Sequence, residues 1–199
     1  MKNNIKDYQW PSSLISSNQK YNAKNEKKIN ISFKSIISDK LTNKEIKEVC
    51  LLKDKEWKFG IKSQFKWFKN NIKKYDFHNL MYIESKLSGY TLLRKRICKT
   101  DNLKKNTKYL LFDTLLIDKK YRGMNLSSLL MDFNNTIIKE SGLASFLICT
   151  NDLVSFYKKN NWMRLNKKDF SVVDHQFLSI GMVFNKKNLT KKTFYYINI

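Results

Sequence analysis

The stretch Leu115-Leu-Ile-Asp-Lys-Lys-Tyr-Arg-Gly-Met-Asn-Leu-Ser-Ser-Leu-Leu-Met131 decides how this chain folds. An apolar run ends at Ile117, a charged turn carries the pair Arg122–Gly123, and an amphipathic run begins at once. Leu126, Leu129, Leu130, Phe133, Ile137 and Ile138 keep helical spacing, so the second run reads as a long helix with one buried face. Strand, tight turn and helix is the geometry that turns backbone N–H groups toward a phosphate. A phosphate-holding turn usually carries several glycines. Here Asn125 and Ser127 stand where glycines are expected. The alternative is an ordinary strand-to-helix connection.

The runs around this centre give the rest of the order. "INISFKSI" from Ile29 alternates as a strand does. Thr42 and Glu45 form a capping-box pattern ahead of "IKEVCLLKDKEW", which opens a helix. A second helix is expected over "SQFKWFKNNI", with Phe65 and Phe68 on one face. "NLMYIES", "GYTLLRKRIC" and "KYLLFDTLLI" read as an antiparallel meander. Beyond the long helix, "ASFLICT" reads as a buried strand, "DLVSFYKKN" as a short helix and "FLSIGMVF" as another strand. The expected architecture is α/β: a mixed, mostly antiparallel central sheet flanked by helices. Residues 1–28, polar and rich in lysine, are expected as a basic arm that Tyr8 and Trp10 could pin, and residues 29–199 as one domain. No internal repeat is visible.

The 199 residues carry a net charge of +22 and are 42% hydrophobic, a globular balance with a basic surface. That charge favours anionic partners: nucleotides, coenzyme phosphates, nucleic acid or a membrane surface. Nearly all of it is lysine beside abundant asparagine and isoleucine, which an AT-rich genome also produces; the only arginines are Arg94, Arg96, Arg122 and Arg164. Cys50, Cys98 and Cys149 are odd in number and lack metal-ligand spacing, so reduced thiols and no metal are expected. The opening residues lack an apolar signal region, and no apolar run approaches the roughly 18 residues that span a bilayer. A cytoplasmic protein is the expectation.

On the turn, its flanking strand and helix, and "FYKKNNW" from Phe156, the chain resembles the GCN5-related N-acetyltransferase (GNAT) superfamily. The family turn reads Arg/Gln-x-x-Gly-x-Gly/Ala; Arg122, Asn125 and Ser127 occupy its defining positions and only the arginine matches. "FYKKNNW" is similar to a second family segment, with Asn161 where glycine is usual, and asparagine tolerates that left-handed backbone. Loss of the loop glycines, Tyr157 with Trp162, and "YDFHNLMYIE" resemble one branch, that of aminoglycoside 2'-N-acetyltransferases and nodulation acyltransferases.

The resemblance implies an enzyme, an N-acetyltransferase using acetyl-CoA or another acyl-CoA as cosubstrate. Amides of Arg122, Gly123, Met124, Asn125, Leu126, Ser127 and Ser128 would hold the coenzyme pyrophosphate, with hydroxyl help from the two serines. Strand amides near Leu115 and Ile117 would hold the acyl carbonyl, and Asn151 would lie against the pantetheine arm. Tyr157 would be the general acid toward the leaving thiolate, aromatic core packing being the alternative.

An attacking amine must be neutral, at a cost of roughly 4–5 kcal/mol at pH 7 for a lysine-like amine and only about 1 for an α-amino-like one. Asp113 is the first candidate base, on a strand whose alternation would give it the face of Leu111 and Leu115; the alternative is a carboxylate paired with a lysine. His78 is the second candidate, against a structural histidine, and His175 a third. Cys149 reads as core. Trp57, Phe65, Trp67 and Phe68 fall where the family builds its acceptor pocket, most of them as core.

The expected acceptor is a small-molecule amine, an amino-sugar or nucleotide-linked amino-sugar. A macromolecular amine of aminoacyl-tRNA or protein is the second reading. A non-catalytic nucleic-acid-binding protein is the third, against which stand scattered lysines and scarce arginine. Oligomeric state is open, a homodimer included.

Overall fold

In a computed structural model, residues 15–22, 28–100, 106–166, 170–172, 180–186 and 195–197 are described. Tyr8, Trp10 and His175 lie outside them. The described strands form one sheet. β1 (Ile15–Asn22), β2 (Lys28–Ile37), β3 (Phe77–Ile83), β4 (Lys86–Thr100) and β5 (Asn106–Ile117) run as an antiparallel series. β6 (Ser145–Cys149) then joins β5 in parallel. The remaining strands are β7 (Met163–Arg164), β8 (Phe170–Val172), β9 (Ile180–Phe184) and β10 (Tyr195–Ile197). β9 pairs β6 and β7, while β10 adds to β4 and β8. Residues 15–22, read from the sequence as part of an arm, are the edge strand β1 of this sheet.

Helices α1 (Asn43–Trp57) and α2 (Ile61–Asn71) cover one face, and α3 (Leu126–Glu140) and α4 (Val154–Lys159) lie on the other. α1 starts where the sequence put it: Thr42 accepts from the Glu45 amide and Glu45 reaches back to the Thr42 amide. In α2 the buried stripe is Gln64, Trp67 and Phe68, while Phe65 points outward, so the two phenylalanines do not share a buried face. Under α3, Leu126, Leu130, Ile137 and Ile138 meet Ile31, Met81, Leu93 and Leu110. Gly89 makes that approach possible, since a Cβ there would stand 2.6 Å from Met81 Cε and 3.1 Å from Leu130 Cδ2.

One irregularity reorganises the centre. Leu92 pairs with Thr114 but Leu93 pairs with Phe112, so Asp113 is an extra, unpaired residue in β5. This is a β-bulge, and it reverses the alternation that follows. Leu111 faces the cluster of Cys98 and Tyr109, whereas Leu115 packs with the α3 side. The expectation that Asp113 shares one face with both leucines is corrected by that extra residue.

Candidate active site

The bulge also reverses which backbone amides face which neighbour. Before it, the even-numbered Leu110 donates its N–H to Ala144 on the β6 side (2.9 Å). After it, the even-numbered Asp118 donates to Ser88 on the β4 side (2.8 Å). The amides of the odd residues Leu115 and Ile117 therefore turn toward β6. Pairing with β6 has already stopped by then, at Leu111 with Phe146. Two strand amides consequently face an opening between diverging strands.

That opening runs into the turn that carries Arg122 and Gly123. Gly123 holds φ at 82° and Asn125 at 57°, both left-handed. Asn125 is the N-cap of α3 yet makes no side-chain cap hydrogen bond, and no acidic residue lies in the first turn. A helix start left this way presents N–H groups and a positive dipole end to an anion. The Leu126 side chain is buried in the core, so only its amide is on offer; Ser127 and Ser128 are half-buried, and Met124 packs against the core. Arg122 donates to the Ile117 carbonyl at 3.1 Å and pairs with Glu56 of α1 at 2.7 Å. Its guanidinium thus fastens the turn to α1. Beside it, Lys55, Lys58 and Lys119 line a cavity of about 420 Å³ between α1 and the end of β5. Burial alone would raise the Asp118 carboxyl there, but hydrogen bonds from Lys55 and the Lys120 amide hold it below its ordinary value.

Tyr157 sits across the opening on α4. Its ring meets Phe112, next to the bulge, edge-on at 6.3 Å, and Trp162 at 6.1 Å. Burial, with Cys149 adding, pushes its phenol well above the ordinary value, so the proton stays on through the neutral range. Asn161 after α4 holds φ at 65°, the left-handed conformation expected of it. Trp162 donates to Asn135 at 3.0 Å, tying α4 to α3. Asn151 is exposed in the turn after β6. Cys149 is core, and all three cysteines are unpaired.

The base candidates are placed differently. Asp113 accepts from Arg94 at 2.7 Å and from Thr114 at 3.3 Å, so taking a proton would break an ion pair. His78 is wholly buried, with Nε2 on Ser38 (2.9 Å) and Nδ1 on Tyr90 (2.8 Å). Its ring stacks between Phe68 and Tyr90. Burial first, and Lys53 second, push it down to about 3, so it is a neutral core histidine.

The sequence reading missed Lys53. It is 6% exposed on the inner side of α1, with Nζ 3.4 Å from the centre of the Trp67 ring and 5.7 Å from that of Trp57. Burial pushes its ammonium down to about 8. A signal was present, since Lys53 falls three residues after Cys50 and four after Val49, on the apolar stripe of the helix.

No family model matches the chain, and no curated protein matches it in sequence. Solved structures do. An acyl-CoA N-acyltransferase from Pseudomonas aeruginosa is similar with TM-score 0.57 and 13% identity, over 77% of this chain and 98% of that one. The GNAT family N-acetyltransferase YhbS from Escherichia coli, in complex with CoA, gives 0.53 and 15% over 75% and 78%. The ribosomal-protein-S18-alanine N-acetyltransferase from Escherichia coli gives 0.52 and 12% over 78% and 99%. At such identities the likeness is one of fold: the chain has the fold of the GCN5-related N-acetyltransferases. The resemblance to the aminoglycoside and nodulation branch is one of sequence motifs alone. Among the described residues, no helix is long and apolar enough to cross a membrane.

Proposed function

We propose that this protein is an acyl-CoA-dependent N-acyltransferase, transferring an acetyl group to a primary amine of a small molecule by direct attack. One observation carries the reading: β5 and β6 part at the Asp113 bulge, and the gap leads from the Leu115 and Ile117 amides to an N-terminus of α3 without a side-chain cap. These residues fit a coenzyme thioester, whose chemistry is an activated acyl carbon with a thiolate leaving group. The two strand amides donate to the acyl oxygen as charge grows on it. Amides from Gly123 to Ser128 and the serine hydroxyls face the pyrophosphate, with Arg122 keeping the turn in place through Glu56. Tyr157 keeps its proton for the departing sulfur.

With Asp113 committed to Arg94 and His78 enclosed, neither is a free base. The reading therefore favours a weakly basic acceptor amine, whose deprotonation costs about 1 kcal/mol, not 4–5. An amino-sugar or nucleotide-linked amino-sugar also suits the +22 charge. A protein amine is the second reading, favoured by the half-exposed Trp57 and exposed Phe59 at the α1–α2 turn.

Thermal unfolding with acetyl-CoA tests the proposal. At about 100 times its dissociation constant the ligand adds roughly 2.7 kcal/mol, or about 5–10 °C in Tm for a chain of this size. An unchanged midpoint at millimolar acetyl-CoA would overturn it.

A further inference from the structure

Lys53 and Arg94 are two buried cations that share one carboxylate. Arg94 is 9% exposed, and its Nη1 binds Asp113 while its Nε is buried without any hydrogen-bond partner. Among the described residues no carboxylate lies within 4.0 Å of Lys53 Nζ, which rests on the face of Trp67 instead. Arg94 Cζ is 6.0 Å from the centre of the same ring, so both cations gather at Trp67. The charged side chains acting on Lys53 are Asp113, which favours its charge, and Arg94, which opposes it. The cluster thus holds one positive charge more than its carboxylate balances. Burying an unpaired cation is costly, and an unpartnered guanidinium N–H adds to the cost. Such an arrangement is relieved by an anion bound from outside. Access lies on the Asp113 side, where a fifth of that carboxylate side chain remains exposed, and beside Trp57, which is 40% exposed.

We propose that Lys53 and Arg94, backed by Trp67, form an anion subsite of the acceptor cleft, so that the amine substrate carries a carboxylate or phosphate group. The proposal rests on the acyltransferase reading for the word acceptor, but the subsite itself is a binding property. Asp113 stands at its edge and at the bulge that turns the Leu115 and Ile117 amides. An anion held at Lys53 would therefore anchor a molecule whose amine lies toward the acyl opening. Lysine and arginine divide the work: the ammonium is a point charge, and the guanidinium adds a directed N–H.

Isothermal titration with three amines that share a 2-aminoethyl unit tests this: O-phosphoethanolamine, β-alanine and ethanolamine, with the parent, Lys53→Met and Lys53→Arg. In the parent, at least one of the anionic amines binds about tenfold or more tighter than ethanolamine, and which one does so separates phosphate from carboxylate. Lys53→Met abolishes that preference, and Lys53→Arg, which keeps the charge, retains it. If neither anion binds tighter in the parent, or if Lys53→Met keeps the preference, the subsite is overturned. Acetyl-CoA titrated into the same protein keeps the two readings apart. Coenzyme binding without anion preference sinks only the subsite, and anion preference without coenzyme binding sinks only the acyltransferase reading.

Discussion

Replacing Lys53 with methionine should make this protein more stable at neutral pH. The ammonium is pushed down to about 8 in the fold from an ordinary 10.5. Between those values the unfolded chain binds more protons than the folded one, so stability rises with pH across that window. Below it the full penalty applies, and the gap of about 2.5 corresponds to about 3 kcal/mol. The Trp67 face at 3.4 Å returns part of this, about 1–2 kcal/mol for a desolvated cation. The net cost of the lysine at pH 7 is then about 1–2 kcal/mol. Methionine fills a similar volume without a charge and packs well against aromatic rings.

Urea unfolding of parent and Lys53→Met at pH 7 and pH 9.5 measures this. The variant should be about 1–2 kcal/mol more stable at pH 7, and its advantage should shrink by about 1 kcal/mol or more at pH 9.5 as the parent's lysine loses its proton. A variant less stable than the parent at pH 7, or an advantage independent of pH, would refute the reasoning. Lys53 would then be a satisfied lysine with its charge well accommodated.

Tyr157→Phe keeps the ring against Phe112 and removes only the proton donor; kcat should fall about 10²- to 10⁴-fold with coenzyme affinity intact, measured by thiol release and by titration. Asp76→Asn leaves Arg96, 7% exposed, without its carboxylate at 3.0 Å, so denaturant unfolding should show a loss of about 3–5 kcal/mol. Gly89→Ala sets a methyl group 2.6 Å from Met81 and against Leu130, and a cost of about 1–3 kcal/mol should appear in the same assay.

What the sequence disclosed was local and periodic. The capping box at Thr42, the apolar stripe of α3 and the left-handed Asn161 are each written within a few residues, and the structure has all three. What it concealed depends on partners far along the chain. β1 is short on apolar side chains and gains its place from pairing with β2, so its residues read as polar arm. The ion pairs Arg94–Asp113 and Arg96–Asp76 join residues 19 and 20 positions apart. They take up two of the four arginines whose scarcity was weighed only as a property of the surface. Lys53 was legible in principle, because a lysine on an apolar stripe is either snorkelling outward or held within. Only the Trp67 ring shows which.

The bulge at Asp113 is the step from which both halves of the site follow. An unbroken β5 would carry the even-numbered amides toward β6 along its whole length, as at Leu110, and the amides of Leu115 and Ile117 would serve β4. The extra residue moves them to the open side and turns Leu116 from the face of Leu110 and Phe112 to the face beneath α1 and α2. It also leaves Asp113 without a partner residue in β4, and its carboxylate accepts from Arg94. One inserted residue thus aims two donors at the gap beside β6 and fixes a guanidinium beside Trp67. Because strand side chains alternate with period two, a regular β5 that kept every residue would reverse the faces of Thr114 to Ile117 and undo both arrangements together, whereas deleting Asp113 would restore a regular ladder with those faces unchanged and cost Arg94 its carboxylate. The proposed acyl site at the Leu115 and Ile117 amides and the proposed anion subsite at Lys53 and Arg94 thus meet at a single backbone irregularity, and a substitution at Asp113 that preserves the bulge would separate them: the carboxylate serves Arg94, and the extra residue serves the amides.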